Sequence, residues 1–214
     1  NQETEVHERK IIINGLIYSI NEYEKTAIVK GRSTFGYCQK FLISRSITHE
    51  SQEYIVTKIS DKAFENADTI VNIRFAPDSE LKIIGEYSFS YTGIESITLP
   101  PHLTEIAVMH FFIVLEIPAN SELIKIGSCA FYSTKIESIS IPAKTSQIEK
   151  DFICYTPNLN TISVSENNPY FKSFKNKYLL RKSENKFNIL FCSIKNIEIA
   201  DIPDEIEVIG SFSF

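Results

Sequence analysis

The chain has no tryptophan, a single methionine, only seven glycines in 214 residues, and four cysteines spaced too widely to form a CxxC pair. Each shortage closes off a class of protein. No apolar run approaches the roughly 20 residues that cross a bilayer as a helix, so no transmembrane segment is expected. G-x-S-x-G, Walker and G-x-G-x-x-G loops are all missing, so nucleophilic and phosphate-cradling chemistry has no anchor, and neither an enzyme nor a cofactor is expected. A net charge of −5 and a pI near 5.5 argue against a nucleic-acid partner. No N-x-[ST] sequon occurs, and the opening NQETEVHERK carries no signal-peptide pattern, so composition leaves the compartment open.

What is there is ordinary globular chemistry, 43% hydrophobic and 23% charged, and it repeats. Residues 84–100, IGEYSFSYTGIESITLP, and 126–142, IGSCAFYSTKIESISIP, share nine of seventeen positions. Between them HLTEIAVMHFFIVLEIP reaches its Ile-Pro four residues early, so the 42-residue offset is two periods of 22 and 20. The most regular element is apolar-x-x-apolar-x-apolar, at Ile70/Ile73/Phe75, Ile94/Ile97/Leu99, Phe112/Leu115/Ile117, Ile136/Ile139/Ile141, Leu159/Ile162/Val164 and Ile194/Ile197/Ile199, with Cys38/Phe41/Ile43 a degenerate relative. The last three residues of each hexad alternate in, out, in, as a short strand does. Pro77, Pro100, Pro118 and Pro142 close four of them, where ladder donors are no longer needed. A turn follows, usually with glycine (Gly85, Gly127, Gly210), and then a phenylalanine: Phe64, Phe89, Phe111, Phe131, Phe152 and Phe214. One coil cannot bury such a face; stacked coils share a continuous core, and the phenylalanines read as its spine.

Two stretches break the period. Residues 11–30 look like two strands around a polar turn that cap the open end of the stack, and 170–192 read as an inserted hairpin, YLLRK-SEN-KFNILF. The organisation expected is a single structural domain: a polar tail, β cap and degenerate coil over 1–54, repeats over 55–169, the insertion over 170–192, and a further repeat over 193–214. That last repeat stops inside a unit, so the natural protein is expected to continue.

The motifs ISDKAF (59–64), IGEYSF (84–89), IGSCAF (126–131) and IGSFSF (209–214), each leading toward a strand, resemble the BspA-like leucine-rich repeats of bacterial and protozoan surface proteins. YSINEYEKTAIVKG is similar to that family's amino-terminal cap, and NNPYFKSFKNKYLLRK to its hairpin insertion. The resemblance covers about residue 11 to 214. It implies an α/β leucine-rich-repeat solenoid with a parallel β-sheet on the concave side, short helical segments and turns on the other, and an N-terminal β-hairpin cap. It also implies cell-surface or secreted localisation and attachment to a protein or cell-surface ligand, extracellular-matrix protein among the candidates; it carries no catalytic residues. His110 departs from the pattern, standing where Ala63, Ser88, Ala130 and Ser213 precede the phenylalanine.

The binding face of such a fold is the outward side of the strands. The residues expected there are Asn72, Arg74, Glu95, Thr98, Glu116, Glu137, Ser140, Asn160, Lys195 and Glu198. Ile113 and Val114 are either a contact patch on this face or core in a shifted register. Metal binding is not expected: His102, Glu105 and His110 lack HExxH spacing, and the cysteines read as unpaired buried thiols, Cys129 preceding its phenylalanine by two residues and Cys154 following its own by two. Against adhesion stand two other readings. One is an intracellular or self-assembling interaction scaffold of the same fold. The other, remote, is a carbohydrate-active enzyme using Glu95 and Glu137, which lie about 10 Å apart if two strands separate them.

Overall fold

The computed structural model describes residues 9–33, 39–107, 114–194 and 202–210. The chain opens with β1 (Arg9–Ile13), β2 (Leu16–Asn21) and β3 (Thr26–Arg32), followed by β4 (Lys40–Ile43), β5 (Ser46–His49) and β6 (Gln52–Ile59). Longer and two-residue strands then alternate: β7 (Asn72–Phe75), β8 (Ile83–Ile84), β9 (Ser96–Thr98), β10 (Glu105–Ile106), β11 (Val114–Glu116), β12 (Lys125–Ile126), β13 (Ser138–Ile141), β14 (Gln147–Ile148) and β15 (Thr161–Val164). β16 (Phe171–Phe174), β17 (Tyr178–Ser183), β18 (Lys186–Ser193) and β19 (Val208–Ile209) complete it.

Each coil therefore contributes two strands rather than the one that the hexads predict. The second ends on the isoleucine that precedes each phenylalanine by four or five residues, at Ile84-Gly85 and Ile126-Gly127 in the place expected to be a turn. Ile59, Ile84, Ile106, Ile126 and Ile148 stack in register in one parallel ladder, β3-β6-β8-β10-β12-β14, and all five are buried. Glycine follows the ladder strand at 85 for packing, not for dihedral freedom: a Cβ there would lie 2.5 Å from the Asp61 backbone nitrogen of the coil below.

The expected helical segments are a correction. Among the described residues there is no helix, and the span around each phenylalanine is a run of turns. Alternate amides bond to the next coil, while those between them, such as Ala63 to Ser60 and Glu65 to Lys62, close single turns, so no helical ladder builds up. Lys62, Phe64 and Asn66 donate to the carbonyls of Glu86, Ser88 and Ser90, and Phe131 and Ser133 donate to Phe152 and Cys154. Left-handed residues bracket the ring: Lys62, Tyr87 and Cys129 two positions before it (φ 58, 54 and 50), Asn66, Tyr91 and Ser133 two after it (φ 59, 56 and 56). Each costs on the order of 1 kcal/mol for a residue with a Cβ, offset by driving a phenylalanine into the core. Phe64, Phe89, Phe131 and Phe152 are fully buried, with Phe64 and Phe89 stacked at 5.5 Å and Phe131 meeting Phe152 edge-on at 6.1 Å.

Residues 11–30 hold parts of three strands, not two. Asn14 (φ 50) and Gly15 (φ 79) make the two-residue turn joining β1 to β2, and β2 pairs antiparallel with β3, which opens the parallel ladder. Near the other end β16, β17 and β18 form an antiparallel meander. Its Phe191 packs on Phe152, and β18 pairs in parallel with β19, so the insertion supplies a rung of the stack.

Candidate binding face

The hexad strands carry the exposed face. In β9 and β11 the central Ile97 and Leu115 are buried and the residues beside them exposed; β13 alternates as Ser138 out, Ile139 in, Ser140 out, Ile141 in. This alternation follows from the pleat: with one face on the core, every second side chain must point to solvent. Unlike the inner ladder, the strands of this face do not form one sheet. They pair as β4-β7, β9-β11 and β13-β15, leaving recesses at the two boundaries between pairs.

The expected face residues in the described part of the chain line three recesses or stand exposed beyond them. Asn72, Arg74 and Glu95 line a cleft of about 680 Å³ with Lys40, Leu42, Val71 and Gly93. Asn72, Arg74 and Thr98 also border a groove of about 490 Å³ between β7 and β9, floored by Ile73 and Ile97 and closed by Pro77, Pro100 and Pro118. Glu116 and Ser140 flank a crevice between β11 and β13. Glu137 and Asn160 are exposed at the far end, the Asn160 amide donating to the Glu137 carbonyl at 2.9 Å. Lys195 and Glu198, with Ile113, lie outside the described residues. Val114 is exposed opposite Ser96, so the core alternative does not hold for it.

Lys40 and Leu42 are cleft residues outside the expected face, whereas Val71 stands in the same outward column as Asn72 and Arg74. Lys40 and Leu42 are the outward positions of the degenerate hexad around Phe41, and the same in-out rule that placed Arg74 places them. Leu42 is 59% exposed and Val71 40%, an apolar pair set among Lys40, Arg74 and Glu95. Further along the face the Thr98 hydroxyl donates to the Glu116 carboxylate at 2.9 Å, linking β9 to β11.

The His102/Glu105/His110 motif resolves into links between coils. Glu105 pairs with Lys125 at 2.7 Å, raising the lysine above its ordinary pKa, and His102 Nδ1 lies 3.2 Å from Glu122. Glu122 also meets Lys144 at 3.0 Å, and these hydrogen bonds, Lys144 first, hold its carboxyl below the usual range. His110 lies outside the described residues.

Comparison with known proteins gives the fold a lineage. Over residues 17–114 and 82–190 the chain matches the model of the BspA type leucine rich repeat region, in six copies. No curated protein matches the chain. Among solved structures, the pneumococcal vaccine antigen PcpA aligns over 97% of this chain and 62% of its own at 20% identity and a TM-score of 0.73. A leucine rich cell surface protein from Faecalibacterium prausnitzii aligns over 86% of this chain and 61% of its own (18% identity, TM-score 0.50), and the T. pallidum leucine rich repeat protein over 72% and 71% (18%, 0.59). The chain thus spans about three fifths of the length of the first two. With the stacked coils, the buried phenylalanine column and six matched repeats, the chain belongs to the BspA-type leucine-rich-repeat family.

Proposed function

We propose that this protein is a non-catalytic binding module of a cell-surface or secreted protein, which attaches to a protein ligand on a host cell or in extracellular matrix through its hexad strand face. The observation that carries this is the cleft beside β4, β7 and β9. Exposed Leu42 and Val71 sit there within a ring of mixed charge, Lys40, Arg74 and Glu95, and arginine with an apolar centre is the kind of surface that anchors a protein partner. Leucine-rich-repeat proteins generally act by binding, and two of the structural neighbours are a surface protein and a vaccine antigen. The β1-β2 pair caps the ladder in this reading, covering the free edge of β3.

Glu116 and Ser140, with Glu137 and Asn160, extend the contact along the face; Lys195 and Glu198 would continue it. The face has no tryptophan or tyrosine, so a single module binds weakly and strong attachment needs many copies. The test is binding of a multivalent display of the protein to matrix proteins and cells, comparing the parent with Leu42→Asp and Arg74→Glu. Loss of binding with an unchanged melting temperature supports the face. Binding that survives both changes refutes the cleft, and a multivalent parent that binds no cell or matrix component refutes adhesion and favours the intracellular scaffold.

A further inference from the structure

The turn side of the stack, away from the strand face, holds a cluster that sequence order hides. Cys129 stands in one coil, Asp151 and Cys154 in the next, and their ligand atoms all lie within 4.8 Å of one another. Opposite offsets from the phenylalanines suggested that the two thiols would be kept apart. The turn geometry explains why they are not. Cys154 donates its amide to Asp151, so these two residues bracket a single tight turn, and the Ser133 amide bonds to the Cys154 carbonyl, locking that turn against the coil of Cys129. Cys129 is left-handed (φ 50), which turns its thiol toward Asp151, with Sγ 3.6 Å from Oδ2. Three soft or anionic donors on two coils therefore converge at one half-buried point.

From this convergence we infer that Cys129, Asp151 and Cys154 form a binding site for a thiophilic divalent cation, Zn²⁺ by its donor preference. Zinc takes thiolate at about 2.3 Å and carboxylate at about 2.0–2.2 Å in a tetrahedron, which places a sulfur and an oxygen ligand roughly 3.5 Å apart. The observed Cys129–Asp151 separation is 3.6 Å. Two sulfurs and one oxygen suit zinc rather than calcium or magnesium, which need oxygen ligands throughout. Three protein ligands leave the fourth position to water. The Ser128 hydroxyl donates to Asp151 Oδ2 at 2.8 Å and fixes the carboxylate, the outer support that ligating groups characteristically have.

The proton balance is explicit. Zn²⁺ binds as both thiols become thiolates, so up to two protons leave per ion and the site goes from −1 to −1 in net charge. Burial raises the Cys129 thiol above its ordinary pKa, so the cation must supply the energy of that deprotonation. The bound ion would tie residues 127–133 to residues 149–155, a clip between coils independent of whatever the strand face binds.

The experiment uses the full 214-residue chain, reduced and freed of metal. Calorimetric titration with Zn²⁺ in two buffers of different ionisation enthalpy should give one ion per chain with proton release. Titration with Co²⁺ should give the intense visible and near-ultraviolet bands of tetrahedral thiolate ligation. Cys129→Ser, Cys154→Ser and Asp151→Asn each remove a ligand and should weaken Zn²⁺ binding on the order of 100-fold or more, the two cysteine changes also removing the cobalt bands; Ser128→Ala removes an outer support and should weaken it about 10-fold. Cys192→Ser, in a separate buried position, should leave both unchanged. Three results would overturn the inference: no zinc binding by the parent, cobalt bands that persist in both Cys129→Ser and Cys154→Ser, or a Cys129–Cys154 disulfide in protein isolated without reductant in the presence of zinc.

Discussion

Replacing Phe131 by alanine tests the stacking argument at its centre. The ring is 1% exposed and meets Phe152 edge-on at 6.1 Å, in a column that also includes Phe64 and Phe89. Removing it forfeits ring transfer from water and leaves a cavity, together about 3–5 kcal/mol, of which the aromatic contact accounts for about 1. The backbone around it cannot collapse easily, because the Phe131 and Ser133 amides are bonded to the next coil. A domain of this size has a urea slope near the upper end of the usual range, about 3 kcal/mol per molar, so the midpoint should fall by roughly 1–1.7 M. With no tryptophan, far-ultraviolet circular dichroism is the probe. Since each coil contacts only its neighbours, hydrogen exchange should accelerate first in residues 126–134 and 148–155. Tyr91→Ala, at an exposed position beside Phe89, is the control and should shift stability by less than about 0.5 kcal/mol. An unmoved midpoint for Phe131→Ala, or a loss equal to that of Tyr91→Ala, would show that the phenylalanine column does not hold the coils together.

Gly93→Ala should destabilise by about 1–3 kcal/mol, since its Cβ would meet the Asp68 carbonyl oxygen at 2.4 Å, and thermal melting will show it. Glu122 has a folded pKa below its unfolded value, so its contribution is present above the unfolded pKa and is lost as pH falls through the depressed folded one. Acid denaturation of Glu122→Gln should accordingly show a shallower fall in stability below about pH 4.5 than the parent; an identical acid limb would discount the Lys144 and His102 contacts. Cys192 is fully buried and its thiol is pushed well above the ordinary range, so alkylation of the native, metal-free protein followed by peptide mapping should label Cys129 and Cys154 long before Cys192.

The parts of this fold that sequence reveals are those with a period. Ile97 between Ser96 and Thr98, or Ile139 between Ser138 and Ser140, states its own burial, and the phenylalanine recurring after each ladder strand states its column. The inner ladder gives no such signal. A strand of two residues, such as Ile83–Ile84, is too short to alternate, and the glycine after it looks like a turn although it marks close backbone approach. Asn14-Gly15 is a legible hairpin signal, and with it residues 11–30 divide among three strands rather than two. The expected helices failed for a different reason: nothing in IGSCAF says that its amides will bond outward to the next coil. For the face, outward positions followed from the pleat, whereas the cleft depends on how β4 lies beside β7, across 32 residues of sequence from Phe41 to Ile73. Cys129 and Cys154 converge through the same long-range stacking.

The inner ladder is continuous and the outer face is divided into pairs, and this gives the molecule an uneven stiffness. Bending that stretched the ladder would have to break hydrogen bonds along β6-β8-β10-β12-β14, whereas bending that parts β7 from β9 or β11 from β13 breaks no strand pairing. The protein therefore behaves like a book with a stitched spine, whose leaves can open at two places while the binding stays intact. Parting β7 from β9 costs side-chain contacts and strains the turn bonds between the same two coils, such as Phe64 to Ser88, so those turn bonds set how far that seam can spread.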